Sequence, residues 1–194
     1  MNISETDSIK VIGHGPLQYR VFILCALVAF MDGYDIQTMA FVVPTLASEW
    51  GVSAKSFKLA LSASLLGIAL GAIITGPISD IWGRRKVLVS ALFILGLATL
   101  TNTLATTQSE IIIYRFFTDL GLGASMPNII ALTAEYASDR RRTMIITLMF
   151  CGLPLGGAAG GAIAPHLITE FGWQSVFVIG GAFPILLCLL CVFL

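Results

Sequence analysis

The chain has 194 residues, of which 57% are hydrophobic and only 11% charged, and its formal net charge at neutral pH is zero. Mean hydropathy is +0.91, whereas a soluble domain is about a quarter charged, so the composition excludes one and requires an integral membrane protein. The apolar stretches are continuous rather than alternating, which predicts helices and excludes barrel strands. At about 20 residues per span the length accommodates six helices with short turns. The expected fold class is all-α, with residues 1–18 as a cytoplasmic tail and residues 19–194 as a six-helix transmembrane bundle.

The first span is expected from about Tyr19 to Leu46 and contains Asp32 and Asp35. A polar turn, ASEWGVSAKSFK, follows. The second span, about Leu59 to Ser79, is free of charge and carries Gly67, Gly71 and Gly76. The stretch GPISDIWGRRK, residues 76–86, is read as a turn into a third span of about Val87 to Thr106. The fourth, about Ile111 to Thr133, contains Arg115 and Asp119 and ends at EYASDRRR. The fifth, about Thr143 to Ile168, is dominated by GLPLGGAAGGAIAP, and the sixth runs from about Gln174 to Leu194.

Charge placement orients these spans. Lys10, Arg20, Arg84, Arg85, Lys86 and Arg140 to Arg142 fall on one side, and only Lys55 and Lys58 on the other. The bias towards basic cytoplasmic loops places the N-terminus in the cytoplasm of a plasma (inner) membrane protein. Residues 1–18 lack the apolar core of a signal peptide. Cys25, Cys151, Cys188 and Cys191 lie in apolar spans and read as small hydrophobes rather than as disulfides or metal ligands. Trp50, Trp82 and Trp173 near span ends are expected to anchor at the interface. His166 is read as an interfacial residue in the same way.

Gly76, Asp80, Gly83, Arg84, Arg85 and Lys86 resemble the loop between the second and third helices of the major facilitator superfamily. That pattern runs Gly, small or apolar residues, Asp, two residues, Gly, then Arg and Lys; Ile81 stands where a basic residue is frequent. The resemblance implies two six-helix halves, each of two inverted three-helix repeats, with this chain matching the N-terminal half. The sixth span ends without a basic flank, so a missing C-terminal half, or a second copy in its place, is the expected partner. In the family this loop contacts the other half, which implies that its acid and bases act as a gate. Fixing orientation is the plainer reading of the same bases.

Asp32 and Asp35 form DGYD on one helical face, and Asp32 lies about 18 Å into the bilayer beyond Arg20. A carboxylate at that depth costs at least about 2.5 kcal/mol, so it needs a wet cavity, a partner or a proton. A carboxyl that binds and releases a proton is what a proton-coupled carrier uses. The bland alternative is that one Asp caps a helix break at Gly33. The run from Asp32 to Pro44 is similar to the DGxD signature of the aromatic acid/proton symporters, which implies import of a benzoate-type or hydroxybenzoate-type carboxylate.

Arg115 could supply the fixed cation for a carboxylate, or snorkel to the outer interface. The run RFFTDLGLGASMPN resembles the superfamily's fourth-helix pattern, with Asp119 where glycine is usual. Asp119 lies four residues after Arg115 and can pair with it, which makes it a candidate modulator. Gly152, Gly156 and Gly160, with Gly157 and Gly161, form small-residue rows suited to helix packing.

The expected function is proton-coupled import of a small aromatic carboxylate by alternating access, with Asp32, Asp35 and Arg115 at the site. A sugar-type or drug-type carrier of the same superfamily and an inactive truncated fragment are the alternatives. No nucleophile–base pair, metal cluster or cofactor motif is visible, so neither an enzyme nor a cofactor other than the coupling proton is expected. The basic residues are too few for nucleic acid.

Overall fold

In a computed structural model, residues 16–192 are described; the expected tail falls almost entirely outside them. The described residues form α1 (Pro16–Glu49), α2 (Lys58–Trp82), α3 (Arg84–Thr101), α4 (Gln108–Tyr136), α5 (Arg142–Phe150), α6 (Gly152–Phe171) and α7 (Gln174–Val192). Short 3₁₀ turns occupy Ala54–Phe57 and Asn102–Leu104. Helices α5 and α6 follow one another at Cys151 and together make one crossing, Arg142–Phe171. The described residues therefore form six long helical segments, the number expected of half a major facilitator fold.

Five of the six crossings are long and apolar enough to span a membrane on length and composition. The remaining one, α4, has 29 residues but carries Arg115, Thr118, Asp119, Ser125, Asn128 and Thr133, all buried. Its position explains how lipid tolerates this. Helix α4 packs against α2 and α3 and also meets α1, so protein rather than hydrocarbon surrounds its polar side chains. A capping box opens it: the Thr107 side chain accepts from the Glu110 N–H, and Glu110 accepts from the Thr107 N–H.

Glycines set the closest helix contacts, because only an absent Cβ lets two backbones meet. A Cβ at Gly67 would lie 2.6 Å from the Phe116 carbonyl oxygen, joining α2 to α4. One at Gly152 would lie 2.6 Å from the Ala26 carbonyl oxygen, joining α6 to α1, and one at Gly96 would lie 2.8 Å from the Gly181 carbonyl oxygen, joining α3 to α7. Exchanging the first three crossings for the last three carries the α2–α4 contact onto the α6–α1 contact and leaves α3–α7 in place. This is the pattern expected of two inverted triplets. Gly160 faces the rings of Tyr34 and Phe41 rather than a backbone.

Three expectations need correction. The stretch from Gly76 to Lys86 is not an extended turn: α2 continues to Trp82, α3 begins at Arg84, and Gly83 alone reverses the chain. Its φ of 89° lies where side-chain-bearing residues are strained. Helix α1 runs through Gly33 without a break, and Gly33 instead makes room for the Leu153 backbone. Trp173 is buried rather than interfacial, with Trp50 and Phe177 edge-on to it at 6.1 and 6.0 Å. This aromatic cluster closes the end of the bundle opposite Arg84–Lys86, and Trp82 remains exposed.

Candidate functional site

Four charged side chains lie inside the bundle where α1 meets α4: Asp32 is 0% exposed, and Asp35, Arg115 and Asp119 are 1% exposed each. Arg115 enters from α4 two turns beyond its start and does not snorkel; it points into protein. Its Nη1 donates to Asp35 Oδ1 at 3.2 Å, and its Nη2 lies 3.1 Å from Asp35 Oδ2. The same Nη2 donates to Asp119 Oδ1 at 2.9 Å and reaches the Asp35 carbonyl oxygen at 3.5 Å. Two carboxylates from two helices thus hold one guanidinium, the charge-assisted geometry that a buried arginine needs.

Asp32 has a different partner. The Ser125 hydroxyl, nearly three turns along α4 from Arg115, lies 2.6 Å from Asp32 Oδ2. The same hydroxyl is also 2.8 Å from the Leu122 carbonyl oxygen, so its single proton serves one acceptor at a time. Asp32 and Asp35 share a face of α1 and both look towards α4, yet they belong to separate clusters. Asp32 Oδ1 and Arg115 Nε are buried without a hydrogen-bonding protein partner, whereas Asp35 Oδ2 faces Arg115 Nη2 and the Asp119 carboxyl faces Ser64.

Neighbouring polar groups brace the site. Tyr34, between the two acids, donates its hydroxyl to the Val176 carbonyl oxygen at 3.0 Å and ties α1 to α7. Asn102 donates to Thr118 at 3.2 Å and ties the end of α3 to α4. Ser125, Tyr34 and Thr118 were not singled out by sequence reading. Ser125 lies within the fourth-helix motif, but nothing in its spacing says that Asp32 faces it.

The basic end of the bundle holds a second polar region. Gly76 and Asp80 occupy the last turns of α2, and no atom within 4 Å would meet a Cβ on Gly76. Arg84 Nε donates to Glu135 Oε1 at 3.1 Å, linking the α2–α3 corner to the end of α4. Arg85 donates from Nε to the Cys191 carbonyl oxygen at 3.1 Å and from Nη2 to the Val192 carbonyl oxygen at 2.6 Å. That caps α7 at the end where its carbonyls lack intrahelical partners. Asp80, Arg84, Arg85, Lys86, Glu135 and Tyr136 line an open cavity of about 900 Å³.

The chain resembles known carriers along nearly its whole length. It is 41% identical to the 4-hydroxybenzoate transporter PcaK of Pseudomonas aeruginosa over 92% of this chain and 40% of the relative. It is 39% identical to a gallate transporter of Pseudomonas putida over 88% of this chain and 38% of the relative. The benzoate transport protein of Acinetobacter baylyi is 33% identical over 90% of this chain and 38% of the relative. The chain thus spans about two fifths of the length of these curated relatives. Among solved structures, a bacterial homologue of the human lysosomal transporter Spinster superposes with a TM-score of 0.81 at 20% identity, covering 93% of this chain and 43% of that one. The xylose transporter XylE from E. coli superposes with a TM-score of 0.77 at 19% identity, covering 91% of this chain and 48% of that one. Residues 25–194 match the Major Facilitator Superfamily, and the chain belongs to that family.

Proposed function

We propose that this chain supplies the N-terminal half of a proton-coupled carrier that imports a small aromatic carboxylate by alternating access. The observation that carries the reading is a guanidinium buried between α1 and α4 and held by Asp35 and Asp119. A planar fork that never deprotonates suits a carboxylate substrate, while buried carboxyls beside it are suited to take and release the coupling proton. Relatives named for 4-hydroxybenzoate, gallate and benzoate support an aromatic acid over a sugar. In this reading Asp32 and Asp35 carry the proton and Arg115 meets the substrate anion. The region of Gly76, Asp80, Gly83 and Arg84 to Lys86 acts as the gate. The glycines at 152, 156 and 160 hold α6 on α1.

The partner is a second six-helix half. The apolar windows of α2 and of the α5–α6 crossing are 28% and 22% buried, against 56% for α1, so these helices have the most surface left for another bundle and lipid. The bases at one end support a cytoplasmic N-terminus in an inner membrane. The test is uptake of labelled 4-hydroxybenzoate by cells that lack aromatic-acid carriers and express the full-length gene product. Uptake that benzoate competes away, xylose does not, and a protonophore abolishes is the expected result. Absence of uptake, or competition by sugars, contradicts the proposal.

A further inference from the structure

Both terminal nitrogens of Arg115 are engaged, and Nε alone is left without a protein partner. Asp35 takes Nη1 and approaches Nη2, and Asp119 takes Nη2 at 2.9 Å. A carboxylate ligand binds an arginine best through two parallel N–H groups, so an incoming acid must displace one of these residents. The two residents differ mechanically. Asp35 stands on α1 and leaves Arg115 whenever α1 and α4 separate or turn. Asp119 is one helical turn from Arg115 on α4 itself and travels with it.

Packing confines Asp119 further. Its Cβ lies 3.2 Å from where a Cβ on Gly67 would be, so it abuts α2, and Ser64 of α2 lies beside the same carboxyl. It is 1% exposed and has no room to swing into solvent. The neighbouring charged groups are Arg115 and Asp35.

We propose that Asp119 is a positioning residue that sets substrate affinity: a counter-ion built into α4 that stays on Arg115 through the transport cycle and competes with the substrate carboxylate. The inference rests on the reading that Arg115 meets the substrate anion. Its consequence is a carrier that holds its acid weakly and releases it readily, with the guanidinium kept aimed at α1 when Asp35 departs.

The test measures initial rates of 4-hydroxybenzoate uptake against concentration for the full-length protein, for Asp119→Asn and for Asp119→Gly, each normalised to its membrane level. The freed N–H group gains a charge-assisted bond to substrate, so KM is expected to fall about tenfold or more in both variants, without a rise in maximal rate. An unchanged or higher KM with reduced maximal rate in both would overturn the inference, since that is what a structural neutraliser gives. Loss of both variants from the membrane would overturn it too, because a residue that only sets affinity is dispensable for folding. Absence of uptake by the wild type would instead sink the carrier reading beneath it, and the inference with it.

Discussion

Gly156 on α6 is where the packing account is most exposed to test. A methyl group there would overlap the Phe30 carbonyl oxygen of α1 and lie 3.0 Å from the Tyr34 nitrogen. Both are backbone atoms, which cannot rotate away. Relief requires α6 to back off from α1 by about 1 Å, and that motion also opens the neighbouring contacts of Gly33 with Leu153 and of Gly152 with Ala26. Overpacking of this kind costs about 1–3 kcal/mol, offset by at most about 1 kcal/mol of helix propensity gained on replacing glycine. Gly161 is the internal control on the same helix, since a Cβ there would make ordinary contact with the Phe41 ring at 3.6 Å. Thermal unfolding of the purified full-length protein in detergent should therefore rank Gly156→Ala below wild type and Gly161→Ala level with or above it. A Gly156→Ala protein as stable as wild type, or equal losses from both variants, would refute the close-approach argument.

Asp32→Asn and Asp35→Asn should each abolish proton-coupled uptake while leaving the membrane level unchanged; normal uptake by both would remove the coupling assignment. Arg85→Gln should free the last carbonyls of α7, raising amide exchange around Leu189–Val192 about fivefold to tenfold, and exchange equal to wild type would show that the cap contributes nothing. The Glu110 carboxyl lies below the ordinary glutamate range because the Thr106 and Thr107 N–H groups donate to it. A group lowered in the folded state stabilises above its unfolded value and loses that contribution as pH falls through the lowered one. Wild type should thus melt above Glu110→Gln at neutral pH, with the gap closing only in acid below the glutamate range; a gap that widens in acid would contradict this.

What the sequence could and could not reveal divides along local and non-local lines. Five of the six crossings follow from hydropathy and length alone, and the pairing of Arg115 with Asp119 follows from their spacing of four. The meeting of Asp35 with Arg115 spans 80 residues of chain, and that of Asp32 with Ser125 spans 93. Helical periodicity fixes which face a residue occupies, not which helix lies opposite. Trp173 departs from its interfacial expectation for the same reason, because position near a span end cannot reveal that Trp50 and Phe177 enclose it. The corner at Gly83 is shorter than expected because the acid, the glycine and the three bases between two apolar spans read as a turn. Those charges instead decorate the ends of α2 and α3 on either side of Gly83.

The central claim is that buried carboxyls of α1 carry a proton together with the acid. The most direct measurement uses lightly buffered proteoliposomes containing the full-length protein, with a pH-sensitive dye outside and no imposed gradient. Adding 4-hydroxybenzoate should raise the external pH in step with its uptake, and Asp32→Asn should remove both signals. Substrate accumulation with no accompanying pH change would contradict the account.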